Sequence, residues 1–106
     1  MSIPSILVVE DDFEMKEMML KFLRKNGFIV YAATNSDELQ NELKKHRIDL
    51  ILLDVMLGDE NGIKICKEIR ISQNIPIIIV SALATDQDRL SGYGVGADDY
   101  IVKPFN

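Results

Sequence analysis

A single cysteine, Cys66, excludes an internal disulfide and suits a reducing compartment. Apolar runs are short, and none approaches the ~18 residues that a membrane-spanning helix requires. The opening Met1-Ser2-Ile3-Pro4-Ser5 has neither the basic start nor the long apolar stretch of a secretory signal, so a cytoplasmic location is expected. No repeat, low-complexity tract or Pro/Gly/Ser-rich linker interrupts the chain, and no internal domain boundary is expected. Basic charge is in deficit: 12 Lys and Arg against 17 Asp and Glu give a net charge of −5. That balance argues against direct tracking of nucleic acid, because an acidic surface repels phosphates. Acidic proteins are common, so the placement of the acids carries more information than their number.

What is present fits one domain. The chain has 106 residues, 47% of them hydrophobic and 27% charged, which suffices for one core and is unlike disordered, collagenous or coiled-coil sequences. Ile6-Leu7-Val8-Val9, Ile29-Val30-Tyr31-Ala32, Leu50-Ile51-Leu52-Leu53, Ile77-Ile78-Ile79-Val80 and Tyr100-Ile101-Val102 read as five strands. Their near-continuous apolar character suits parallel strands covered on both faces.

Helical periods separate them. Met15, Met18, Met19, Phe22 and Leu23 recur at i, i+3, i+4, i+7 and i+8 and predict one buried face, read as core rather than as a binding surface. Gly27 follows as a C-terminal cap. A second helix is expected to open near Asn35 or Ser36, with Glu38 placed for a capping box and Leu39 and Leu43 buried. A third runs from about Gly62 to Ile71, with Ile65, Cys66 and Ile69 inward. The fourth, from Asp86 to Ala97, holds Gly92, Gly94 and Gly96. Each interior glycine costs a helix about 1 kcal/mol relative to alanine, so this helix should be short and easily frayed. The alternation predicts an open α/β sheet with helices on both faces. A fifth helix would be needed to cover one side of strands 1 and 5, and either a longer polypeptide or a partner is expected to cover that surface.

Ligands in such sheets bind at the carboxyl ends of the strands. Strand 1 runs into Glu10-Asp11-Asp12, strand 3 into Asp54, strand 4 into Ser81 and strand 5 into Lys103-Pro104. Two unit charges ~4 Å apart repel by roughly 4 kcal/mol at an effective dielectric of ~20. Proton uptake, Lys103 or a bound cation must offset that. Hard oxygen donors without His or Cys suit Mg²⁺. Singly, each residue has a plainer reading. Asp54 could be a cap or ion-pair partner, Ser81 a structural hydroxyl and Lys103 a solvated amine. Asp12 reads as the N-cap of the first helix. Their convergence on one rim is what points to a site. His46, late in the second helix and away from that rim, reads as structural, and Cys66 as a small core residue.

The chain resembles the receiver domains of bacterial two-component response regulators, a CheY-like fold. The likeness rests on Val8-Val9-Glu10-Asp11-Asp12, Leu53-Asp54 with Gly62 downstream, Ser81-Ala82, and Gly96-Ala97-Asp98-Asp99-Tyr100 followed by Lys103-Pro104-Phe105. It implies a doubly wound, flavodoxin-like parallel sheet of five strands in the order 2-1-3-4-5. Residues 1–106 would form one receiver domain, truncated before its final helix. Asp54 would accept a phosphoryl group from a sensor histidine kinase. Mg²⁺ would be held by Glu10, Asp11, Asp54 and the backbone carbonyl of Met56. Ser81 and Lys103 would bond the transferred phosphoryl oxygens, Tyr100 would switch between inward and outward positions, and the Lys103–Pro104 bond would be cis. Such a chain is a phosphoacceptor rather than a turnover enzyme.

The resemblance extends to receivers joined to winged-helix DNA-binding domains. Its leading implication is a transcriptional output through a domain outside this chain, with a hybrid kinase or a single-domain regulator as alternatives, and a homodimer could form through the helix 4/strand 5 face. Gly58 stands where the family usually carries proline, and Gly94 adds a glycine to the motif around it. A receiver that is never phosphorylated and serves only as an interaction module is the main alternative. A flavodoxin-like cofactor binder would need a hydroxyl- and glycine-rich loop where Glu10-Asp11-Asp12 stands. An aspartyl-intermediate phosphatase would place its nucleophile after strand 1 rather than after strand 3. Met56 and Leu83 flank the expected phosphoryl position and offer no group to orient water. Phosphorylated protein should therefore lose its label more slowly than a Met56→Asn variant does, and equal half-lives would refute this.

Overall fold

Five apolar stretches pair side by side as parallel strands, and the intervening segments return as helices across the sheet faces. The computed structural model describes residues 3–54, 56–57, 60–81, 94 and 97–102. Its elements are β1 (Ser5–Val9), α1 (Phe13–Lys25), β2 (Ile29–Ala33), α2 (Ser36–Lys45) and β3 (Leu50–Asp54). They continue with β4 (Met56–Leu57), β5 (Glu60–Asn61), α3 (Gly62–Ser72), β6 (Ile77–Ser81) and β7 (Asp99–Val102). The main sheet has the order β2-β1-β3-β6-β7, which is the expected 2-1-3-4-5 arrangement. The β4–β5 pair is a separate antiparallel hairpin that no apolar pattern announces. The expected fourth helix falls largely outside the described residues, as do Gly58, Leu83 and the Lys103–Pro104 bond.

Alternation within the buried strands divides the core in two. Leu7, Val9, Ile51, Leu53, Ile77, Ile79 and Tyr100 join Leu39 of α2 and Ile65, Cys66 and Ile69 of α3 in the larger cluster. Ile6, Val8 and Val30 pack with Met19 and Leu20 of α1 on the other side. Both faces of the central strands are thus dry, which explains their lack of polar alternation.

The helix ends follow local chemistry. The Asp12 side chain accepts a hydrogen bond from the Met15 N–H at 2.9 Å and caps α1. At the other end Gly27 has φ of +90°, its N–H donates to the Arg24 carbonyl, and the Phe28 N–H donates to the Leu23 carbonyl. That is a Schellman stop, for which glycine suits the left-handed backbone. Asn35 caps α2 by accepting from the Glu38 N–H at 2.9 Å. Glu38 reaches one residue further back than a capping box requires, and accepts from the N–H and hydroxyl of Thr34 at 2.7 and 2.8 Å. His46 closes α2, stacked on Tyr31 with ring centroids 3.8 Å apart and its Nε2 3.3 Å from Glu42.

One expectation needs correction. The proposed buried face of α1 is rotated: Met19 and Leu20 are buried, whereas Met18 is 49% and Phe22 62% exposed. These two overhang a groove of about 440 Å³ that is also lined by Met19, Leu23, Leu52, Val80 and Ile101. The open apolar strip lies over β3, β6 and β7, so it includes strand 5 as expected but not strand 1.

The two bonds from Thr34 hold the Glu38 carboxyl below its ordinary range, the backbone N–H contributing most. The ionised form is thereby favoured in the folded state. The resulting stability is fully present above the unfolded carboxyl pKa of about 4.3 and is lost as pH falls through the lower folded value. Urea melts should find Glu38→Gln less stable than the parent at neutral pH, with the difference closing under strongly acidic conditions.

Candidate functional site

Parallel pairing aligns the carboxyl ends of the strands. In register, Val9 pairs with Leu53, Asp54 with Val80, and Ser81 with Val102. The Glu10 N–H donates to the Ala33 carbonyl at 3.0 Å, which extends the β1 ladder by one residue and fixes the start of the acidic turn. Glu10, Asp11, Asp54 and Ser81 therefore come from the ends of three adjacent strands.

The acids converge. Glu10, Asp11 and Asp54 each offer a carboxylate oxygen, and these atoms all lie within 4.8 Å of one another. Glu10 is 1% and Asp54 5% exposed, whereas Asp11 faces solvent. Two unit charges at such a separation repel by about 3.5 kcal/mol at an effective dielectric of ~20. Burial keeps water from screening them fully. An all-oxygen donor set of this kind is suited to a hard divalent cation such as Mg²⁺, which takes one or two carboxylates and keeps several waters. The three acids could hold such an ion.

The other expected residues divide. Ser81 is buried at the end of β6, one strand from Asp54. Tyr100 is buried in the larger core cluster, the inward of its two expected positions. The backbone of Met56 begins the small hairpin two residues beyond Asp54. Lys103 lies outside the described residues. Asp12 is a cap and stands apart from the three acids, as expected. Cys66 is buried, and desolvation pushes its thiol pKa up, in keeping with an inert core residue.

Two features escaped the sequence reading. The hairpin β4–β5 leads into α3, whose N-cap Asn61 accepts from the Ile63 N–H at 2.9 Å. The Gly58-Asp59 dipeptide between the two strands was the local signal that could have found the hairpin. The second is an ion pair between Arg70 and Asp98, 28 residues apart, for which no local pattern exists.

Comparison with known proteins agrees with this geometry. The sequence matches the response regulator receiver domain family over residues 6–106. The chain belongs to that family. This receiver is 42% identical over 103 residues to the transcriptional regulatory protein YvrH of Bacillus subtilis, covering 96% of this chain and 44% of that protein. It is 38% identical over 103 residues to the transcriptional regulatory protein BaeR of Escherichia coli, covering 97% and 43% of the two chains. The receiver thus spans less than half the length of these relatives. Among solved structures, a two-component response regulator from Clostridium difficile superposes with a TM-score of 0.92 at 31% identity, covering 97% of this chain and 85% of that one. The BeF3-activated receiver domain of Klebsiella pneumoniae RstA superposes with a TM-score of 0.90 at 29% identity, covering 96% and 87%. Among the described residues no helix is long and apolar enough to cross a membrane.

Removing one of the three clustered carboxylates should relieve repulsion. Asp54→Asn is expected to stabilise the metal-free receiver by about 1–2 kcal/mol in urea melts. The same change should abolish the rise in Tm that saturating Mg²⁺ gives the parent, since a ligand stabilises only the state that binds it. An unchanged Mg²⁺-induced rise would remove Asp54 from the metal site.

Proposed function

We propose that this receiver is a phosphoacceptor whose Asp54 takes a phosphoryl group from a phosphohistidine on a sensor kinase. The observation that carries the reading is the convergence of Glu10, Asp11 and Asp54, with their carboxylate oxygens within 4.8 Å, in a chain of this family. Glu10, Asp11, Asp54 and the Met56 carbonyl would hold Mg²⁺. When bound, the ion would neutralise the acidic pocket and draw phosphoryl oxygens toward it.

The chain's own residues supply the rest. Phosphoryl transfer leaves a protein little covalent work, so alignment and charge neutralisation dominate. The P–N bond to the donor imidazole breaks as a P–O bond to Asp54 forms, and the freed imidazole takes up a proton. Pairing of Asp54 with Val80 in the β3–β6 ladder would keep the nucleophile in position at the strand end. The Ser81 hydroxyl would donate to one phosphoryl oxygen, and the Lys103 ammonium would pair with another. Those bonds exist only after transfer, so they favour a second conformation by their differential free energy. Tyr100 and the face built from the fourth helix and β7 would report it, and that face would carry a homodimer. Output would be transcriptional, through a DNA-binding domain beyond these residues, and the setting cytoplasmic. This reading is supported by the names of the relatives, both of which are transcriptional regulators.

Incubation with Mg²⁺ and a small phosphodonor, followed by intact-mass measurement, tests it. We expect a single added phosphoryl group that is absent with chelator and absent in Asp54→Ala. No added mass, or mass indifferent to Asp54→Ala, would instead favour a receiver that acts only as an interaction module.

A further inference from the structure

Among the described residues the edge strand β7 pairs only with β6, yet its amino end is tied down by three hydrogen bonds between Asp98 and two partners. The Asp98 N–H donates to the Ile77 carbonyl at 2.7 Å, and the Ile77 N–H donates back to Asp98 Oδ2 at 2.8 Å. Arg70, in the last full turn of α3, donates from Nη2 to the same carboxylate oxygen at 2.6 Å and from Nη1 to the Ile75 carbonyl. The planar guanidinium thus bridges the α3–β6 connection and the entry to β7 at once, which a lysine cannot do. Exposed ion pairs usually contribute little. Here the Asp98 side chain is 56% exposed, but Arg70 is only 20% exposed and the carboxylate it holds also accepts from backbone.

The position of this clamp matters more than its strength. Asp98 immediately precedes β7, and from there the strand carries Tyr100 in the core and Val102 in register with Ser81. Five residues after Asp98 the chain reaches Lys103. A strand advances about 3.3 Å per residue, so an error at its origin is passed along to its far end. We infer that Arg70 is a positioning residue for the phosphoryl site: through Asp98 it fixes the origin and register of β7. In doing so it sets the strand that bears Tyr100 and leads to Lys103. The inference rests on the phosphoacceptor reading above and adds to it a residue at the opposite end of the sheet from the chemistry.

Beryllofluoride, a phosphoryl mimic, provides the test with this chain. Arg70→Gln should weaken Mg²⁺-dependent beryllofluoride binding about three- to tenfold while Mg²⁺ affinity alone stays within about twofold. Amide protons of 99–102 should exchange about tenfold faster, with those of β1 and β3 unchanged. Asp98→Asn should reproduce the loss, and the double variant should lose no more than the worse single one, since both act through one contact. Leu43→Ala, a destabilised control on α2, should leave beryllofluoride affinity unaltered. Unchanged beryllofluoride binding in Arg70→Gln, additive losses in the double variant, or equal weakening in the control would each overturn the role of Arg70. Failure of the parent chain itself to bind beryllofluoride would instead overturn the phosphoacceptor reading on which that role rests.

Discussion

Mutual repulsion among three carboxylates at the ends of β1 and β3 is the constraint around which this receiver is organised. Glu10 and Asp54 are buried, so solvent cannot dissipate the repulsion, and the framework must hold them together. It does so with strands that are dry on both faces, where Leu7, Val9, Ile51 and Leu53 leave little room for the turns to drift apart. Part of the stability of the cores is thus offset at the rim. That cost has a use, because a pocket already crowded with negative oxygen gains most from a cation.

The remaining strands extend the sheet away from the pocket. Ser81 ends β6, and among the described residues β7 pairs only with β6. A strand held on one side can shift with less disruption than one held on both, since fewer ladder bonds and packed side chains resist it. Its free side and its fixed origin are therefore complementary. Arg70 and Asp98 secure the end far from the chemistry, and the register of Val102 with Ser81 links the other end to the site. The groove beside Met18, Phe22, Val80 and Ile101 leaves the α1 face of this same region without cover among the described residues.

Membership in the receiver family and the geometry of the acids support the same reading from separate directions. The family match covers residues 6–106, whereas the regulators YvrH and BaeR extend to more than twice the length aligned here. What the chain contributes is a receiver module with an acidic pocket at the carboxyl ends of its strands.

Much of this was legible before any coordinates. Five short apolar runs with no polar alternation read as strands covered on both faces, and Asp12, Gly27 and Asn35 marked helix ends because capping is a matter of neighbouring atoms. The convergence of Glu10, Asp11, Asp54 and Ser81 followed from parallel topology, which puts every carboxyl end on one rim. Where the reading failed, a distant partner was decisive. Met18 and Phe22 sit at core spacing on α1, but spacing does not state how far a helix rolls over a sheet. Glu38 bonds Thr34 in place of the Asn35 N–H because the chain bends there on leaving β2. Arg70 and Asp98 are ordinary charges until folding carries α3 alongside the start of β7. The amino-acid order alone thus determined the strands, the caps and the list of acids, since those depend on contacts a few residues long. Only the tertiary structure decided which acids share a pocket within 4.8 Å, which face of α1 is left open and what anchors the edge strand. Those are relations between segments, set by packing across the sheet.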